Sequence, residues 1–122
     1  MATRTRRTKW TKALRLTCWN VDGVRGMKQE LDHFLGQPGI DVCLLTQTHL
    51  RSCEVFRLSN YNCHRSDRLP EGGGTAILVR RGTDKHAVPV QGLQHLEGTA
   101  IQVMLASRPV KLLAAYLSRT RP

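Results

Sequence analysis

Four apolar residues in unbroken succession, Val42-Cys43-Leu44-Leu45, run directly into the polar stretch Thr46-Gln47-Thr48-His49. A short apolar run that stops this abruptly reads as a strand buried on both faces. Such a strand needs a layer of structure above it and another below, which commits the chain to a layered fold with a sheet inside. In sheets of that kind ligands gather beyond the carboxyl ends of the strands, so the first place to look for chemistry is the polar run at 46–49. One earlier stretch has the same form: Leu14-Arg15-Leu16-Thr17-Cys18-Trp19 leads into Asn20-Val21-Asp22-Gly23. If the two strands are neighbours, Asn20 and Gln47 share one rim.

The segment between them supports that pairing. Residues 20–26 are turn-like, and Gly23 and Gly26 permit positive φ. Met27, Leu31, Phe34 and Leu35 then recur at helical spacing, and Gly36 and Pro38 end the helix. A β-turn-α-β unit results, with the helix as the right-handed crossover. The alternation in Leu14–Trp19 predicts one buried face for the first strand.

Further along, Tyr61-Asn62-Cys63-His64 suits a short edge strand. Pro70-Glu71-Gly72-Gly73-Gly74 forms a flexible turn into the apolar strand Thr75-Ala76-Ile77-Leu78-Val79. Val88 and Val90 around Pro89 read as an edge or a linker. Thr99, Ile101, Val103 and Leu105 alternate in a further strand, Arg108-Pro109 makes a turn, and Val110 to Leu117 forms the last strand. Five or six strands with one well-defined helix give an α+β layer structure, with one mixed sheet and at least one helix. One helix covers only one face of such a sheet.

Charge narrows the partners. Nineteen basic residues against nine acidic ones leave +10. Arg4, Arg6, Arg7, Lys9 and Lys12 fall before any acidic residue, so residues 1–12 read as a basic arm without fixed structure and residues 13–122 as the domain. A surplus of this sign favours polyanions, either nucleic acid or an anionic membrane surface. Cys18, Cys43, Cys53 and Cys63 form no C-x-x-C pair and no zinc spacing. With no secretory h-region and no long apolar run, the expected setting is a reducing, intracellular one, nuclear or cytoplasmic, without membrane insertion.

Trp19-Asn20-Val21-Asp22-Gly23-Val24-Arg25 resembles the opening motif of the endonuclease/exonuclease/phosphatase superfamily, closest to its apurinic-type endonuclease domains. Ile40 to His49 resembles the second motif, a strand ending in Glu-Thr-His or Glu-Thr-Lys. Gly72-Gly73-Gly74-Thr75-Ala76-Ile77-Leu78-Val79 is similar to the glycine-led strand, and Tyr116 stands where the family has an active-site Tyr. The details Gln47-Thr48-His49 and Gly73-Gly74-Thr75-Ala76-Ile77 look most like the endonuclease domain of jockey-type non-LTR retrotransposon polyproteins. Roughly Leu14 to Leu117 is covered. The resemblance implies the N-terminal half of a two-sheet α/β sandwich. It further implies metal-assisted attack of water on a DNA phosphodiester, nicking one strand to prime reverse transcription. On this reading Asn20 and Tyr116 position the phosphate and position 47 holds Mg²⁺. Arg25, His49, Arg65 and Arg68 are the candidates for contact with DNA.

Two departures set the expectation for this chain. Gln47 replaces the metal-binding Glu, keeping its shape and losing its charge, and Mg²⁺ depends on carboxylates. The later family motifs, an Asp-x-Asn pair and a terminal Asp-His dyad, do not follow Tyr116, and Ser118 replaces the usual Pro. The expectation is therefore a truncated, catalytically silent copy. Its second sheet would come from a missing C-terminal half, leaving an apolar face exposed or covered by self-association. The competing reading is a small basic nucleic-acid-binding protein that keeps the fold without the chemistry.

Overall fold

A computed structural model describes residues 14–36, 39–67, 73–89 and 96–117. The basic arm at 1–12, Arg68, the Pro70–Gly72 part of the glycine turn, Val90 and Ser118 lie outside the described residues. In chain order the elements are β1 (Leu16–Asn20), a 3₁₀ turn (Arg25–Met27), α1 (Lys28–Leu35), β2 (Val42–Thr46), β3 (Tyr61–Ser66), β4 (Thr75–Arg80), β5 (Lys85–Val88), β6 (Leu96–Leu105) and β7 (Arg108–Leu117). Two sheets result, in the orders β1-β2-β4-β3 and β5-β6-β7. β1 and β2 run parallel, as the crossover helix requires. All other pairings are antiparallel. The first sheet is mixed and the second antiparallel.

The apolar run at 42–45 explains why both layers exist. Cys43 and Leu45 face a core shared with Leu31 and Leu35 of α1, Ala76 and Leu78 of β4, and Leu50, Phe56 and Leu58 of the following loop. Val42 and Leu44 point the other way, joining Ile77 and Val79 of β4 against Ile101, Val103 and Ala114 of β6 and β7. β2 and β4 are thus buried on both faces. Tyr61 fastens the helix layer, its hydroxyl lying 3.0 Å from the Leu35 carbonyl and 2.8 Å from that of Ile40.

This corrects the expectation that the second sheet lies outside the chain. Three of its strands are present, and they cover the face of β2 and β4 that α1 leaves open. The alternation in β6 and β7 supplies one apolar side to bury, so the hairpin packs rather than extending the first sheet. What remains open is narrower: Leu16 is 45% exposed. The alternation in β1 marks the two faces, but Leu16 and Cys18 are exposed while Thr17 and Trp19 are half-buried. Leu16 and Cys18 are in register with Val42 and Leu44, so they lie on the side of the second sheet. That sheet packs chiefly over β2, β3 and β4, which leaves β1 beyond its edge.

The hairpin turn also differs in place. Ala106 and Ser107 take φ of 53° and 67°, the two left-handed residues of a two-residue hairpin, and Arg108-Pro109 belongs to β7. Pro109 is tolerated because β7 is an edge strand.

Burial divides the four thiols. It pushes Cys43 up to about 12 and Cys63 up to about 11, whereas Cys18 and Cys53 are exposed. Because the thiolate is the reactive form, brief iodoacetamide treatment at mildly alkaline pH is expected to label Cys18 and Cys53 and spare the other two until denaturant is added. Peptide mass spectrometry reads this directly, and rapid native labelling of Cys43 would contradict the core just described.

Candidate functional site

The carboxyl ends of β1 and β2 meet as the parallel register dictates: Asn20 pairs with Thr46, and the chain beyond each strand forms one rim. Backbone hydrogen bonds knit three loops there. Val21, Gly23 and Val24 donate to the carbonyls of Thr46, Gln47 and Thr48 at 3.1, 2.8 and 3.1 Å. Thr48 and His49 donate in turn to Gly74 and Gly73 at 3.2 and 2.7 Å. The glycine-led entry to β4 is therefore the third wall of the rim.

The rim is strained. Asp22, Gln47 and His49 take φ of 50°, 58° and 60°, a region that costs non-glycine residues energy and persists where surrounding bonds over-determine it. Gly74, at φ 91°, has the reason for its identity on the page: an added Cβ would lie 2.7 Å from Thr48 Oγ1. Gly74→Ala is accordingly expected to destabilise the fold by about 1–3 kcal/mol, read as a lower midpoint in urea. An unchanged midpoint would show that the rim relaxes freely.

Polar side-chain atoms are left without partners at this end. The buried Thr48 Oγ1, His49 Nε2, His64 Nε2 and Asp67 Oδ1 make no hydrogen bond. His49 Nε2 does lie 3.3 Å from Asp22 Oδ1. That contact lacks the alignment of a hydrogen bond, and it is weak because the Asp22 side chain is 82% exposed. The second sheet closes on the same end, where the Thr75 and Thr99 hydroxyls meet at 2.8 Å. Tyr116 stands one residue before the end of β7, in register with Glu97, and so on the rim side of Thr99.

Two of the basic residues expected to touch DNA are engaged within the chain. Arg25 forms a two-pronged ion pair with Glu54, which also accepts the Arg51 N–H. The guanidinium hydrogen bond holds the Glu54 carboxyl down to about 2 and raises Arg25. Arg65 bonds Asp67 at 3.2 Å and reaches the carbonyls of Arg51, Ser52 and Glu54. Both guanidiniums staple the 51–54 loop beside the rim. Nothing in the sequence marked the Arg25–Glu54 pair. The partners lie up to 29 residues apart, beyond any local pattern.

The rim's side chains are poor in negative charge for a hard divalent cation. Among the described residues no three His, Cys, Asp or Glu side chains come together as a ligand set. Asp22 is the carboxylate at the junction of β1 and β2, and His49 faces it. Gln47 supplies no charge.

Comparison with known proteins bears on what such a rim belongs to. No protein-family model matches the chain. It is 29% identical over 107 residues to the RNA-directed DNA polymerase from mobile element jockey of Drosophila funebris, covering 85% of this chain and 12% of that protein. It is 35% identical over 70 residues to a probable RNA-directed DNA polymerase from transposon X-element of Drosophila melanogaster, covering 55% of this chain and 8% of that one. Among solved structures it matches the AP endonuclease LMAP of Leishmania major at a TM-score of 0.62 and 20% identity, over 84% of this chain and 40% of that one. A 3′ phosphatase, NExo from Neisseria, bound to a product DNA hairpin, matches at 0.57 and 19%, over 83% and 40%. The chain is similar in sequence to jockey and X-element polyproteins and shares the fold of the matched portions of these two enzymes. It spans about a tenth of the length of the curated relatives it matches. The match in fold agrees with the resemblance carried by Trp19–Arg25, Ile40–His49 and Gly72–Val79. Among the described residues no helix is long and apolar enough to cross a membrane.

Proposed function

We propose that the chain is the N-terminal portion of a retrotransposon-type DNA endonuclease domain whose rim engages a phosphodiester backbone but, as this sequence stands, does not hydrolyse it. One observation carries the reading. The rim sets Asn20 at the end of β1 beside Gln47, Thr48 and His49 of the loop after β2, with left-handed backbone at Gln47 and His49, and among the described residues it gathers no set of three His, Cys, Asp or Glu side chains. Asn20, exposed at the end of β1, offers a neutral donor to a phosphate oxygen, and the net charge of +10 supplies long-range attraction to DNA. Loss of one charged group from a site built to stabilise charge commonly costs on the order of 10²–10³ in rate. Here the lost group would be the main cation ligand. A plasmid-nicking assay in Mg²⁺ tests the claim, with supercoiled DNA expected to survive. Metal-dependent nicking that Asn20→Ala abolishes would overturn it.

The second reading, a basic nucleic-acid-binding protein that keeps the fold alone, is favoured by the same net charge. DNA affinity measured against salt addresses it. Counterion release requires the logarithm of affinity to fall steeply and linearly with the logarithm of salt, so a flat dependence removes its basis.

A further inference from the structure

Between the two sheets, on the β3 side of the rim, lies a cleft of about 290 Å³ lined by residues 64–66, 87–89 and 98–100. Its volume stands at the small end of ligand sites, suited to one planar fragment and too small for a whole nucleotide. Val88 and Pro89 give it an apolar wall, and Ala100 adds little bulk to the floor. Among the described lining residues one buried side-chain atom is left over: His64 Nε2 has no hydrogen-bond partner. The Thr99 hydroxyl in the same lining is already engaged, by Thr75 Oγ1 at 2.8 Å and the Thr75 carbonyl at 3.3 Å.

We propose that this cleft is a subsite for one unstacked nucleobase of a DNA strand crossing the rim, with His64 Nε2 as its hydrogen-bonding group. The proposal rests on the DNA-engaging reading given above. Position supports it: His64 pairs with Ile77, two residues along β4 from Thr75. Two strand residues are roughly 7 Å, within the span of a base hanging from a backbone on the rim.

Charge selects a base over a phosphate. The cation in the lining, Arg65, is committed to Asp67 and to three carbonyls. Lys85, beside the cleft, donates its ammonium to Asn62 Oδ1 at 2.7 Å. Burial and the Lys85 charge lower the pKa of His64, which keeps its ring neutral. A neutral imidazole nitrogen against apolar walls suits the edge of a base and serves a dianion poorly. Taking a base out of its stack costs a few kcal/mol, least in single-stranded DNA, so the subsite favours single strands over duplex.

The experiment uses the full chain with labelled histidine rings, followed by NMR. Thymidine and adenosine at millimolar concentration are expected to shift the His64 ring and the Thr99 and Ala100 amides saturably, while inorganic phosphate leaves them unmoved. A single strand carrying 2-aminopurine is expected to change fluorescence on binding. His64→Ala should weaken that strand by about fivefold to tenfold, as loss of one hydrogen bond implies, without altering the salt slope. His64→Gln, which retains a donor and an acceptor, should recover part of the loss. A His64 ring unmoved by either nucleoside overturns the proposal, as does a larger response to phosphate than to nucleosides. Nucleoside binding without any oligonucleotide binding would sustain the base cleft and sink the DNA reading of the rim.

Discussion

Gln47→Glu is expected to raise the affinity of the rim for Mn²⁺ or Mg²⁺ by tenfold to a hundredfold. The substitution adds one unit of charge in nearly the same shape, at a position already held at φ 58°. The Gly23 N–H bonds the Gln47 carbonyl at 2.8 Å, which holds the backbone of position 47 against the loop that carries Asp22, and a second carboxylate there adds to the oxygen ligands a hard cation uses. A unit charge about 4 Å from another is worth roughly 1 kcal/mol in water and about 4 kcal/mol near a protein surface. An exposed Asp22 places this rim toward the lower figure, doubled by the divalent ion. Broadening of the Asn20, Asp22 and Thr48 resonances by Mn²⁺ measures the effect without any appeal to activity. Equal broadening in the native and substituted chains would mean that position 47 is not where charge is missing. A Gln47→Met control separates charge from shape, since it fills similar space and should leave metal affinity unchanged.

The second large effect concerns the layer that covers β2 and β4. Ile77 is fully buried in the cluster with Ile101, Val103 and Ala114. Ile77→Ala should therefore cost about 2–5 kcal/mol, the transfer and cavity terms together. Leu16→Ala, on the same face of the first sheet but 45% exposed, should cost well under half as much, because much of its surface already meets water. Urea unfolding of the two variants decides the matter. Similar losses would mean that the second sheet reaches over β1. A small loss at Ile77 would mean that the hairpin of β6 and β7 does not pack as described.

Much of the fold was legible because its signals are local. The 42–45 run, the helical spacing from Met27 to Leu35, the glycine-led entry into Thr75–Val79 and the alternation in β6 each depend on neighbours within a few residues. The parallel pairing that sets Asn20 opposite Thr46 followed from a single crossover helix. Which face of β1 is buried was not legible. Its alternation marks two faces, and only the lateral reach of the second sheet tells them apart. Arg25 and Arg65 read as surface cations for the same reason. Their partners, Glu54 and the carbonyls of the 51–54 loop, are brought to them by the tertiary fold.

The sequence by itself determined that a doubly buried strand ends at Gln47 and that a second strand ends beside it at Asn20, and its resemblance to a known family implies that Gln47 stands in a carboxylate's place. Periodicity, turn chemistry and side-chain identity are properties of short stretches, and they suffice for those conclusions. Only the tertiary structure decided that three strands of a second sheet close over β2 and β4. It also gathered the left-handed Asp22, Gln47 and His49 into one knitted rim and left the buried His64 Nε2 without a partner beside a cleft between the sheets. Those features depend on hydrogen bonds and packing between segments far apart in the chain, which no local pattern records.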